Sequence, residues 1–395
     1  MRRCSVAHKF DEPSLLVFSD DWGRHPSSCQ HLIGHLLDRY RVQWVNTIGT
    51  RRPRPDMATL KRGFEKICQW SRSKESGARI PDNLEVIRPK MWPWFTSKTD
   101  RNLNRELLYR QLAPSLRANE APVIALTTIP IVADLVGLLP VDRWVYYCVD
   151  DFTQWPGLDL HAMLEMEEAL IQKVDQVIAV SQTLQDKMSE RGRNAPLLTH
   201  GVDLDFWAEP VDSSLEQLNH LERPLIVFWG VVDQRMDVSI IQQLSADLTK
   251  GTIVLVGPEN DPDPALSNLG RVVRLSPLPF SELPVLGQEA SVMIMPYADL
   301  PVTRAMQPLK LKEYLATGKP VVMSDLPANR DWHDAADLAN NPVAFSRAVQ
   351  TRLQTGLPEA QRVARKRLIR ESWQAKANLL ETWALGREES YATVG

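Results

Sequence analysis

The sequence predicts an α/β protein made of two doubly wound, Rossmann-like domains. Three observations carry this: a series of short apolar runs, helical stretches between them, and a length of 395 residues, too great for one ordinary core. The runs are rich in Val, Ile, Leu and aromatics and end in Ser, Asp, Gly or Pro. Near-continuous apolar strands that alternate with helices belong to parallel sheets covered on both faces.

The N-terminus, MRRCSVAHKFDEPSLLVFSDD, has basic residues but only the brief apolar run LLVF before two aspartates. That run is too short for the core of a signal peptide and reads as a first buried strand. YRVQWVNTIG, APVIALTTIP, RWVYYCVDD and VDQVIAVS continue the first set. PLIVFWGVVD, GTIVLVGPE, VVRLSP, SVMIMPY and KPVVMSD form the second. Residues 196–222 lose the helical period and supply Gly, Asp and Pro, so the crossing between domains is placed there. The expected division is 1–200, 201–370, and a final helix in 371–395 that returns toward the first domain. Two such domains facing each other would enclose a cleft, and ligands of open parallel sheets bind beyond the carboxyl ends of the strands. The positions just after the strands therefore matter most: Asp20, Asp21, Thr127, Thr128, Asp150, Asp151, Gly230, Gly257, Ser276 and residues 306–308.

Composition narrows the class. Apolar and charged fractions of 44% and 24% are those of a soluble globular protein. No run of about 18 apolar residues is present, so no membrane span is expected. Cys4, Cys29, Cys68 and Cys148 are scattered without a Cys-x-x-Cys pair, which argues against a zinc site or a disulfide framework. The expected compartment is the cytoplasm, with peripheral attachment to the inner face of the plasma membrane as a further candidate. Net charge is −3, yet residues 39–117 hold 18 Lys/Arg against 7 Asp/Glu. Within that region MATLKRGFEKICQWSRSK reads as a basic amphipathic helix, and RPKMWPWFTSK sets Trp92, Trp94 and Phe95 among cations. Both features suit an anionic membrane surface. The competing reading is a solvated basic face, with a core-packed helix and inward-folded tryptophans. Nucleic acid is not expected, because no recognition module accompanies the charge.

The densest punctuation lies in QPLKLKEYLATGKPVV, residues 307–322. Pro308 suits the first turn of a helix, Gly318 the left-handed position past its end, and Pro320 bars continuation. Leu311, Tyr314 and Leu315 should face the core. Lys310 and Glu313, three apart, share another stripe. Following the loop PYADLPVTRAMQ, the helix would aim unpaired N–H groups and its positive dipole end at a ligand, which suits a phosphate. Arg304 and Lys310 could add positive charge, and Glu313 could accept hydrogen bonds from ribose hydroxyls. The competing reading makes Lys310 and Glu313 a solvent-facing ion pair.

PLKLKEYLATGKPVV resembles the donor-site segment of GT-B fold glycosyltransferases, in the large retaining group called family 4. HGVDLDFW, residues 200–207, resembles that family's domain-crossing segment. VYYCVDDFTQWPG with EEALIQKVDQVIAVSQTL resembles a subgroup found in exopolysaccharide and teichuronic-acid clusters. The resemblance implies a hexosyltransferase that takes a sugar from a nucleotide diphosphate donor to a polysaccharide or lipid-linked saccharide. The donor would be a UDP-sugar first, GDP- or dTDP-sugars next, with no metal. It places Glu313 at the donor ribose and retains Gly230; with the strand-end and helix-terminus positions, the donor-side candidates are Gly230, Arg235, Ser276, Arg304, Met306, Gln307, Pro308, Leu309, Lys310 and Glu313. Asp150 and Asp151 fall near the place of a reaction-centre carboxylate, where charge at an anomeric carbon is stabilised or an acceptor proton is taken. The competing reading has Asp151 cap the next turn and Asp150 bond backbone amides. The chain also departs from the pattern. Ala305 stands where the family's first glutamate falls, Val231 where an arginine falls, and Asp237 near the place of a lysine. Those departures favour the alternative of a nucleotide-sugar-binding or scaffolding protein without catalysis. A sugar-nucleotide epimerase fits the sequence less well.

Overall fold

A computed structural model describes residues 12–23, 27–47, 81–152, 159–208 and 213–386. The chain divides into two compact units. One contains the residues up to Val180, Leu184–Leu198 and the stretch from Ala377; the other contains Ser181–Thr183 and Thr199–Lys376.

The first unit is built on a six-stranded sheet in the order β3-β2-β1-β4-β5-β6. Its strands are β1 (Ser14–Ser19), β2 (Val42–Asn46), β3 (Leu84–Ile87), β4 (Val123–Thr127), β5 (Arg143–Cys148) and β6 (Gln176–Ala179). Every pairing is parallel. Strands β1 and β4 are neighbours at the point where the order reverses, which is where a crevice opens at the carboxyl end of such a sheet. Residues Leu16–Phe18 and Trp144–Cys148 are buried, as strands covered on both faces require.

The second unit repeats the plan with the order β11-β9-β7-β12-β13-β14. These are β7 (Leu225–Trp229), β9 (Thr252–Val256), β11 (Val272–Leu275), β12 (Val292–Met295), β13 (Val321–Ser324) and β14 (Asp337–Ala339). A separate two-stranded piece pairs β8 (Val232–Asp233) with β10 (Glu259–Asn260). All pairings here are parallel too. Each apolar run named from the sequence contains a strand.

Two edge strands, β3 and β14, escape the sequence reading. Both are short and partly exposed, so neither shows an uninterrupted apolar run. PLIVFWGVVD is not one strand but two, β7 and β8. The break falls at Gly230 (φ +149°), beside Gly257 (φ +145°) at the end of β9. A Cβ on Gly257 would lie 2.0 Å from the Gly230 carbonyl oxygen, so the two chains meet backbone to backbone. The basic amphipathic stretch expected around residues 57–68 lies outside the described residues.

Candidate functional site

The helix Leu309–Ala316 is the centre of the site in the second unit. Pro308 occupies the N-cap with φ −71° and ψ 113°, one residue earlier than the sequence reading placed it, and offers no side-chain cap. The N–H groups of Leu309 and Lys310 meet no acceptor among the described residues. Gly318, at φ +73°, takes the left-handed position expected of it. Leu311, Tyr314 and Leu315 are buried as the helical stripe requires. Tyr314 fastens the helix to the end of β7: its hydroxyl accepts from the Trp229 N–H at 2.8 Å and donates to the Trp229 carbonyl at 2.9 Å.

Glu313 is not on a solvated face. It is 7% exposed, and the Trp229 indole Nε1 donates to its carboxylate at 3.4 Å. Burial pushes the carboxyl up to about 7, against the opposing pull of Lys310 and the Trp229 hydrogen bond. Trp229 is in turn fixed by a stacked contact with Trp207, with ring centroids 5.3 Å apart and planes 5° from parallel. The half-buried Lys310 runs over Gly230, where a Cβ would lie 2.9 Å from the lysine Cε. Only a glycine lets that cation lie across the end of β7.

Arg235 joins this group from the loop after β8. Its guanidinium is paired with Asp233 at 2.9 Å, and its Nη1 lies 3.7 Å from the Met306 sulfur. Gln307 and Pro308 are buried and Leu309 is half-buried beside them. The structure therefore assembles Gly230, Arg235, residues 306–309, Lys310 and Glu313. It leaves two candidates outside. Arg304 is exposed and paired with Asp299 at 3.1 Å, and Ser276 is exposed past the edge strand β11. Ala305 is buried at the end of the helix Pro301–Ala305, while Asp237 N-caps the helix Val238–Asp247 and accepts from the Ser239 N–H.

Two residues of this region were not singled out from the sequence. One is Trp229, whose only signal was an aromatic closing a strand. The other is Lys312, 3% exposed, whose Nζ donates to Thr199 Oγ1 at 3.0 Å, to the His200 carbonyl and to Glu371. Lys376 also reaches Glu371, at 2.9 Å. Burial draws the Lys312 amine down to about 8 despite Glu371.

In the first unit Asp150 and Asp151 follow β5 as expected. Asp151 is 4% exposed and its carboxylate is held by Lys187. Asp150 is half-buried, and the Cys148 thiol points at its carbonyl at 3.7 Å. Beneath them lies buried Glu167, which accepts from the Tyr146 hydroxyl at 2.9 Å and whose carboxyl is raised by burial. After β1, Asp20 gathers Ser19, Ser27 and Gln30 at 2.9–3.1 Å.

The sequence profile of the family described as glycosyl transferases group 1 matches residues 223–355, the stretch that holds β7, Arg235 and the Glu313 helix. Over those residues the chain is similar to the group 1 glycosyltransferases. The chain is also 30% identical over 173 residues to a Bacillus subtilis (strain 168) protein named as a teichuronic acid biosynthesis glycosyltransferase, TuaH. That match covers 41% of this chain and 43% of the relative, so it spans less than half the relative's length. Among solved structures, sucrose-phosphate synthase from Thermosynechococcus elongatus has a TM-score of 0.69 at 15% identity, covering 94% of this chain and 98% of that one. HepE from Anabaena, solved in complex with UDP, has a TM-score of 0.58 at 13% identity, covering 93% and 94%. At such identities the likeness is one of fold, and the fold is the two-domain, Rossmann-like GT-B fold that the donor-segment resemblance implied. Glu313 and Lys310 lie within the matched residues.

Proposed function

We propose that this protein is a hexosyltransferase that moves a sugar from a nucleotide diphosphate donor, a UDP-sugar in the first instance, to a polysaccharide or lipid-linked saccharide. The observation that carries the reading is Glu313. A carboxylate is buried one turn inside a helix whose first N–H groups meet no acceptor among the described residues, with Lys310 beside it. Among the described residues one indole donates to that carboxylate, which leaves it most of its accepting capacity, and two vicinal ribose hydroxyls fill that well. The amides of Leu309 and Lys310, the helix dipole and the Lys310 ammonium suit the diphosphate. Arg235 is the nearest replacement for the cation absent at Val231, since it reaches Met306 at the entrance to the same helix.

In the reaction the bond between the anomeric carbon and the β-phosphate oxygen breaks as the acceptor hydroxyl oxygen bonds to that carbon. The nucleoside diphosphate leaves with the bonding pair, and the acceptor gives up its proton. Lys310 and the amides meet the charge that develops on the leaving group, a large part of catalysis where it is preorganised. Asp150 is assigned the role of stabilising positive charge on the sugar or accepting the proton. Retention of anomeric configuration follows from the family resemblance, as does an acceptor of the exopolysaccharide or teichuronic-acid type.

A second reading, a nucleotide-sugar-binding protein without turnover, is favoured by Ala305, Val231 and the capping role of Asp237. Incubation with UDP-, GDP- and dTDP-sugars plus a membrane extract distinguishes the two. Nucleotide release that is lost in both Glu313→Ala and Asp150→Ala supports transfer. A raised melting temperature with UDP and no release supports binding alone. If no nucleotide shifts the melting temperature, both readings fall.

A further inference from the structure

Residues 88–97, between β3 and the helix Lys98–Arg117, carry a surface that the donor site does not use. We propose that this loop docks the protein on an anionic lipid bilayer through Trp92, Trp94 and the cations around them. The inference is independent of the glycosyl-transfer reading.

The loop alternates sharply. Met91 and Phe95 are 7% and 3% exposed, whereas Trp92 and Trp94 are 40% and 39% exposed. The inward pair anchors the segment in the unit's core, and the outward pair forms one apolar patch, with ring centroids 4.8 Å apart. This outward display is built. Asn104, itself 6% exposed, accepts from the Trp92 N–H at 2.7 Å and donates to the carbonyls of Trp92 at 3.1 Å and Trp94 at 2.9 Å. Gln111 brackets Lys90 in the same way, at 2.8 and 2.9 Å. Two exposed indoles held this firmly require a partner more than two on a slack loop would, and indoles sit well where an apolar layer meets water.

Charge selects the partner. Arg88, Lys90 and Lys98 are exposed around the indoles. The nearby Asp100 is engaged by Ser97 and by the Trp92 indole N–H, at 2.6 and 2.9 Å. A saccharide platform would instead need an open, flat ring face flanked by hydrogen-bonding side chains. Here the two rings lean on each other at 50° and the flanking groups are cations. Each cation brought close to an anionic bilayer strengthens binding by about fivefold. Among the described residues no helix is long and apolar enough to cross a membrane, so the surface proposed lies on the bilayer.

The test is co-sedimentation of the full chain with phosphatidylcholine vesicles, with and without phosphatidylglycerol. Binding is expected only with the anionic lipid. It should weaken roughly tenfold in Trp94→Ser, where an apolar ring is lost, and by a similar or larger factor in Lys90→Glu/Lys98→Glu. The charge variant touches no core residue and keeps the test sound if the tryptophan variant unfolds. Vesicle binding unchanged in either folded variant overturns the proposal, as does the absence of binding to anionic vesicles. Retention on a saccharide resin that the same variants abolish, without vesicle binding, would move the surface to carbohydrate.

Discussion

At the scale of single residues, Glu313 sets the behaviour of the site. Its carboxyl stands at about 7 against an ordinary 4.5, because burial disfavours the charge. Between those values the folded protein keeps a proton that the unfolded chain has released, so this group's contribution to stability is present below 4.5 and lost as pH rises through 7. Glu313→Gln should therefore stabilise the ligand-free protein by roughly 2–3 kcal/mol at about pH 8 and leave it little changed at about pH 4.5. Urea denaturation at the two pH values measures this, and equal differences at both would refute the assignment. Glu313 and Lys310 were legible in the sequence because Pro308, Gly318 and Pro320 fix the helix and its spacing fixes the face. Trp229 was not, because its contact with Glu313 joins positions 84 residues apart. Lys312 was hidden for a similar reason. A lysine two positions from another reads as solvated, and only the arrival of Thr199, His200 and Glu371 makes its burial tolerable.

At the scale of elements, close backbone approach and one charge cluster hold the site's walls. Gly257 lies against Gly230 at a positive φ, so Gly257→Ala forces either strain or separation of the ends of β7 and β9. A loss of about 3 kcal/mol is expected, together with a weakened hold on Lys310, readable as reduced nucleotide affinity in the fraction that folds. Glu371 balances both Lys312 and Lys376. Glu371→Gln leaves two ammonium groups with one carboxylate fewer, and should cost about 3 kcal/mol in denaturant unfolding. Lys312→Met at the same place should cost less, since Lys376 still pairs with Glu371. The strands that were easy to foresee are the central ones, whose runs are apolar throughout. β3 and β14 carry mixed burial and β8 only two residues, so tertiary pairing, not local pattern, makes them strands.

At the scale of the whole chain, two parallel-sheet units were foreseeable from rhythm alone, without the edge strand that completes each sheet. What each unit binds was not, because function rests on a few side chains at strand ends and on departures from the family pattern. The positive groups assigned to the diphosphate, Lys310, Arg235 and the helix amides, make a further expectation at this scale. Sugar transfer should survive treatment with EDTA, assayed as nucleotide release before and after chelation, and a loss restored by added magnesium would show that those groups do not suffice. The central claim is that the helix Leu309–Ala316 holds a nucleoside diphosphate through Glu313 and Lys310. Calorimetric titration of UDP, GDP and dTDP into the wild-type protein and into Glu313→Gln tests it most directly. The account predicts that at least one nucleotide binds the wild type, and binds Glu313→Gln at least about tenfold more weakly, as the loss of hydrogen bonds to a charged acceptor requires. Equal affinity in the two proteins, or no nucleotide bound by the wild type, would contradict it.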